Sequence, residues 1–234
     1  MDSMKKTARI AGLLYLLLAV TSTVGLSIPG FIVRGDATAT ANKIAAHQLL
    51  YRLCIVSDLA SQILFVFLVL TLHQLFNGVS KRLAALMVAL VFVQVPMMFA
   101  TMLCVIAPLV LWDGADYWSA FNKHQLDALA MGSLGLRAYG INAVTALWGL
   151  WLLPFGLLVF RSGFIPRILG IFLVVACFAD LTISATSMLF PAYEPMVHKL
   201  MIFGIGEFFI ILWLLIKGVT TQASADAAFG QAGA

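Results

Sequence analysis

Apolar residues in this chain run in long unbroken blocks rather than in the stripes of period 2 or 3.6 that mark half-buried strands and surface helices. The blocks predict six helical spans: Ile10 to Val33, Leu50–Phe76, Leu83–Trp112, Gly135–Phe160, Ile165–Leu189 and Lys199–Ile216. Each meets the roughly 20 helical residues needed to cross about 30 Å of hydrocarbon. The third is overlong, which predicts a kink at Pro96, with Gln94 satisfying backbone groups freed there. Pro166 opens the fifth, and Pro191 and Pro195 bracket the turn before the sixth.

The segments between the blocks alternate in character. The N-terminus, NGVSKR (77–82), RSGFIPR (161–167) and Lys217 are short and basic, and hold eight of the fourteen Lys and Arg residues. The other set is longer and mixed in charge. It carries Asp36, Asp113, Asp116, Asp127 and Glu194 beside Arg34, Lys43, Lys123 and Lys199. The positive-inside rule places the basic set, and with it both termini, in the cytoplasm, which six crossings satisfy. Residues 36–53 and 116–134 read as outer helical approaches to spans two and four, and Trp112, Tyr117 and Trp118 fit an interfacial belt.

Composition agrees. Of 234 residues, 62% are hydrophobic and 10% charged, with mean hydropathy +1.03, against about 25% charged in soluble domains. The fold class is therefore all-α, a polytopic transmembrane helix bundle over residues 1–217, followed by a disordered cytoplasmic tail at 218–234. The basic start shares a feature with signal peptides, but the apolar run is too long and lacks a cleavage site, so it reads as a retained first helix. The net charge of +4 comes from basic residues scattered at span ends with no interleaved aromatic patch, which excludes a nucleic-acid surface.

Charges inside the spans carry the candidate chemistry, because each costs about 2.5–3.5 kcal/mol in hydrocarbon unless partnered. Glu207 falls about 15 Å from Lys217 along its helix, near mid-membrane, and Asp180 about 20 Å from Arg167. Asp58, Arg52 and Arg137 lie closer to the opposite surface. Arg137 calls for an acid from another helix, with Asp58 and Asp180 the candidates. Arg52 is a poor intrahelical partner for Asp58, since only i,i+3 and i,i+4 neighbours meet. Cys177, Asp180, Ser184 and Ser187 share one face of span five; Asp58 shares one with Ser61 and Gln62; Asn142 and Thr145 pair on span four. Gly204, one turn before Glu207, predicts a close helix approach. These groups outline a polar funnel that narrows toward Glu207, set against the plainer reading of charges that only pair helices.

Other chemistry lacks its residues. Cys54, Cys104 and Cys177 form no CxxC and read as packing residues. His47, His124 and His198, with Glu194, match no metal-ligand spacing. No mid-span histidine pair offers haem ligation, and no HExxH, GxSxG or phosphate-binding glycine loop occurs. No cofactor is expected. A shift of 85 residues superposes Arg52 on Arg137, Gly78 on Gly163 and Arg82 on Arg167, a faint parallel repeat.

The stretches RIAGLLYLLLAV (9–20), LYRLCIVSDL (50–59), GLRAYGIN (135–142) and FRSGFIPRILG (160–170) resemble the signature stretches of the domain of unknown function 4386 family. The resemblance covers nearly the whole chain apart from the tail. It implies a helix bundle of about six spans in the bacterial inner membrane, and no activity. Arg52, Asp58, Arg137 and Tyr139 fall in its recurrent stretches. The sequence thus favours binding or transport of a small amphipathic or lipid-like ligand from the outer leaflet, with Arg52, Asp58, Arg137, Tyr139, Asn142, Asp180, Ser184 and Glu207 as ligand contacts. A membrane-embedded enzyme acting on a lipid or quinone is the first alternative, and a structural or partner subunit the second. Membrane lipid is the expected partner, and the chain is open to homo-oligomerisation.

Overall fold

The computed structural model describes residues 2–219, and the tail expected from residue 218 lies outside them beyond Val219. The described residues are helical, with no strand. Helices are named α1 (Asp2–Gly25), α2 (Ala37–Ala46), α3 (Gln48–Phe76), α4 (Lys81–Leu111), α5 (Lys123–Ser162), α6 (Arg167–Leu189), α7 (Glu194–Val197) and α8 (Ile205–Ile216). Six candidate membrane spans are long and apolar enough to cross a bilayer: Ser3–Phe31, Gln48–Phe76, Lys81–Leu111, Lys123–Ser162, Arg167–Leu189 and Pro191–Ile216. Consecutive spans pack on one another and α8 returns onto α1, so the six close into a ring. Leu13, Val56, Phe67, Leu103 and Phe178 point out from it, as expected where lipid replaces water.

Local chemistry sets the helix boundaries. The Asp36 side chain accepts from the Ala39 N–H at 2.8 Å and caps α2. Ser80 does the same for α4. Asn122 and Gln125 form a reciprocal capping box at the start of α5. Gly163, at φ 70°, ends α5 in the left-handed conformation that glycine adopts without strain.

Three expectations change. From Lys123 onward the approach expected at 116–134 is continuous with the fourth span in one helix of 40 residues, which runs through Pro154 and ends at Gly163, while Asp116–Trp118 forms a separate 3₁₀ turn. The sixth span is wound in pieces: a 3₁₀ turn at Pro191–Tyr193, the single turn α7, a second 3₁₀ segment at His198–Gly204, then α8. The twelve residues of α8 cover only about 18 Å. The looser rise of seven 3₁₀ residues adds about 14 Å, enough together to cross the hydrocarbon. On α4 the helix runs through Pro96 and Pro108, but Gln94 is buried with neither Oε1 nor Nε2 hydrogen-bonded. Pro96 frees the carbonyl of Phe92, and two helical residues rotate Gln94 by about 200° from it.

Packing divides the bundle lengthwise. The half toward Lys81, Arg161 and Lys217, here the basic end, holds a dry core that includes Leu68, Leu72, Phe76, Met87, Phe155, Leu158 and Leu173. A smaller cluster of Ile28, Phe31, Ile44, Tyr51, Cys54, Val105 and Leu134 closes the opposite, mixed-charge end. There the Tyr51 hydroxyl donates to the Val105 carbonyl at 2.7 Å and ties α3 to α4. Lys123 bridges Asp127 at 2.9 Å, and Thr38 donates to the same carboxylate at 3.2 Å, fixing α2 to α5. The polar residues of the spans lie between these two clusters.

Candidate functional site

Glycines bring the charged helices close enough to meet. A Cβ on Gly25 would sit 2.8 Å from the Cα of Asp58, so α1 crosses α3 in backbone contact at that residue. A Cβ on Gly149 would sit 2.8 Å from the Cys177 carbonyl and 2.9 Å from the Asp180 Cβ, which places Asp180 against α5. Gly156 and Gly170 continue the α5–α6 seam, each blocked by the other's carbonyl oxygen. These are the close approaches that small residues permit between helices in lipid.

On this frame Arg137 reaches across the ring. Its Nη2 donates to Asp58 Oδ2 at 3.0 Å, with Arg137 4% and Asp58 3% exposed. Asp58 is thus the acid that Arg137 requires, and Asp180 is left without a cation. Deeper toward the basic end, the Tyr15 hydroxyl on α1 donates to Glu207 Oε2 on α8. Among the described residues Asp180 accepts no hydrogen bond and joins no ion pair. Ser184 donates to the backbone carbonyl of Asn142 at 2.6 Å, tethering α6 to α5.

A cavity of two adjoining lobes threads these groups. The upper lobe, about 360 Å³, is lined by Arg137, Asn142, Thr145, Asp180 and His198 among apolar residues that include Ile141, Ile183 and Pro29. The deeper lobe, about 330 Å³, is lined by Tyr15, Ser61, Gln62, Asp180 and Glu207 with Phe65, Trp148 and Trp151. Leu26, Trp148, Asp180 and Met201 line both lobes, so Asp180 stands at their junction. Thr23, Pro29 and Met201 line the cavity and are exposed, which puts its mouth between the end of α1 and the 3₁₀ segment at His198–Gly204. Each lobe lies at the lower end of the range for small-molecule sites, and both show the usual apolar wall with a few polar groups.

The eight residues singled out from sequence separate in space. Arg137, Asn142, Asp180 and Glu207 line the cavity; Asp58 is paired to Arg137 behind it; Ser184 is buried as a tether. Arg52 and Tyr139 line neither lobe: both are exposed, Tyr139 at 63%. Helical rotation is the reason, since Tyr139 lies about 200° round α5 from Arg137 and Arg52 about 240° round α3 from Asp58. The contrasting surroundings of Arg52 and Arg137 also set apart the two ends of the 85-residue repeat. Gly204 lines the deeper lobe and meets nothing where its Cβ would be; the close approach on the sixth span is at Gly206, 2.7 Å from the Phe172 Cβ. Tyr15, Gln62, Trp148 and Trp151 complete the site. Only Gln62 was marked by a charged neighbour on its own helix; the aromatic three sit in apolar runs that give no sign of which face is lined.

The comparisons bear on family and stop there. No curated protein and no solved structure matches the chain. The model of one family, described as a domain of unknown function (DUF4386), matches residues 10–218, and the chain belongs to that family.

Proposed function

We propose that this is a multi-pass protein of the bacterial inner membrane that binds or transports a small amphipathic or lipid-like ligand through an outward-facing polar pocket. Both termini lie in the cytoplasm, and the mixed-charge end with its α2 and α5 approaches faces outward. The positive-inside distribution supports this orientation, because Lys81, Arg82, Arg161, Arg167 and Lys217 gather at one end of the ring.

The observation that carries the reading is the pair of adjoining lobes, which share Leu26, Trp148, Asp180 and Met201 and are bordered by Arg137 at one end and Glu207 at the other. Charges that served only to pair helices would each be spent on a partner, as Arg137 and Asp58 are on one another. Asp180 and Glu207 instead border open space large enough for a ligand. The apolar wall suits a chain or ring system, and the polar groups at the junction suit a headgroup. In this reading Asn142, Asp180 and Glu207 touch the ligand, and the Arg137–Asp58 pair shapes the upper lobe.

The test uses purified protein in nanodiscs of phosphatidylcholine with three eight-carbon probes: octanol, octanoate and octylamine. At least one raises the thermal midpoint of the wild type. Ala19→Trp, which fills the deeper lobe from α1, abolishes that rise while retaining helical content by circular dichroism. If none of the probes stabilises the wild type, or if Ala19→Trp responds like it, the pocket is not a binding site.

A further inference from the structure

The chemistry of the deeper lobe selects among ligands of the proposed pocket. Arg137, the buried cation that lines the cavity, is held by Asp58 at 3.0 Å, and neither Asp180 nor Glu207 joins an ion pair among the described residues. Glu207 Oε2 is taken by Tyr15, but Oε1 accepts no hydrogen bond, and neither carboxylate oxygen of Asp180 does. Two carboxylates therefore border one lobe uncompensated.

A second, independent observation points to a donor. Gln62 lines the same lobe at 4% exposure, and while its Nε2 donates to Ser61 Oγ at 2.9 Å, its Oε1 has no hydrogen-bond partner. A buried amide oxygen left so costs free energy that a bound N–H group would recover. The remaining wall is aromatic. Trp151 sits 6.0 Å from Tyr15 and 5.0 Å from Phe65, centroid to centroid, and Trp148 lines both lobes. Ring faces attract a desolvated cation, most strongly those of tryptophan. A hard metal ion is a poor match, because six to eight oxygens are its usual shell and this lobe is mainly carbon.

We infer that the ligand of the deeper lobe is an organic cation with N–H donors, a protonated amine carrying an apolar group, held by Asp180, Glu207 and Gln62 against the Trp148–Trp151 wall. This inference rests on the pocket being a ligand site. The upper lobe then takes the apolar group, in keeping with its lining by Ile28, Pro29, Ile141 and Ile183.

The same nanodiscs decide it, with zwitterionic lipid so that membrane charge does not sort the probes. Quenching of tryptophan fluorescence and the thermal midpoint are read against octylamine, octanol, octanoate and trimethyloctylammonium. Octylamine half-saturates at a concentration at least tenfold below octanol, and octanoate gives no saturable signal. Trimethyloctylammonium, with the same charge and no N–H, falls between octylamine and octanol. Asp180→Asn and Glu207→Gln each raise the octylamine half-saturation at least tenfold, which narrows its advantage over octanol. Octanol or octanoate binding as tightly as octylamine would overturn the cation assignment and leave the pocket intact as a ligand site. Equal binding of the trimethyl probe would remove Gln62 from the contact set. Silence from every probe would end both readings. The four-probe comparison on wild-type protein stands even where a variant does not fold.

Discussion

Arg137 Nη2 and Asp58 Oδ2 meet at 3.0 Å between α5 and α3, with both side chains at or below about a twentieth of their free exposure. The pair crosses the ring of helices rather than linking sequence neighbours, so it fixes how α3 faces α5 beneath the mixed-charge cluster. Its guanidinium Nε has no partner, so the arginine is held by one contact rather than a bidentate fork.

Removing one member strands the other. Asp58→Leu and Arg137→Met are each expected to cost about 3–5 kcal/mol, the range for breaking a buried pair from one side. The double change Asp58→Leu with Arg137→Met costs less than either single, because no charge remains unpaired. Arg52→Ala, exposed on the same helix as Asp58, stays within about 0.5 kcal/mol. Equilibrium unfolding in mixed micelles measures all four. Additive singles and double would mean the contact carries no coupling energy.

Helix approach makes a second prediction. A Cβ on Gly149, Gly156 or Gly170 would come within 2.9 Å of atoms on the facing helix, whereas Gly132 and Gly135 on the same α5 meet nothing. Gly156→Ala and Gly170→Ala are expected to destabilise by about 1–3 kcal/mol, as overpacking does. Gly132→Ala and Gly135→Ala are neutral or slightly stabilising, since alanine favours the helix. Thermal midpoints in one detergent rank the four. An equal response across them would show that the α5–α6 seam is not close-packed.

These residues also show what could be read in advance. The six spans were legible because lipid demands long apolar helices. The need of Arg137 for an acid followed from charge alone, and its choice of Asp58 over Asp180 did not. That choice depends on where Gly25 and Gly149 let helices cross, a property of rotation about axes that hydropathy does not encode. Tyr15 was hidden for a related reason: within LLYLLLAV it reads as one more apolar residue until α8 brings Glu207 to it. Arg52 and Tyr139 face away from both lobes because nearness in the chain is not nearness round a helix.

The Tyr15 contact is the third test. Tyr15→Phe removes the hydroxyl that donates to Glu207 and leaves a carboxylate short of a partner, with an expected loss of about 1–3 kcal/mol. Glu207→Gln keeps an acceptor for the hydroxyl, so its loss is smaller. Glu207→Leu strands the Tyr15 hydroxyl among Trp151 and Phe155 and falls nearer to Tyr15→Phe. Unfolding of the three variants, compared at one temperature, checks the order. Tyr15→Phe matching the wild type would mean the hydroxyl bond contributes nothing.

Orientation of the bundle and of its cavity can be tested together. Cys54 and Cys177 are buried, and Cys104 is the native thiol with partial exposure, so a Cys104→Ala background is quiet toward water-soluble reagents. Into it go Ser119→Cys in the loop before α5, Gly78→Cys in the turn before α4, where a Cβ meets nothing, and Asn142→Cys in the upper lobe. A membrane-impermeant maleimide applied to intact spheroplasts is expected to label Ser119→Cys and Asn142→Cys and to spare Gly78→Cys until the membrane is broken. Asn142→Cys reacts more slowly than Ser119→Cys, by about tenfold or more, because the thiolate is the reacting form and a cavity wall disfavours it. Labelling of Gly78→Cys in intact cells would reverse the bundle. Labelling of Ser119→Cys without Asn142→Cys, before or after lysis, would show the upper lobe sealed from water on both sides.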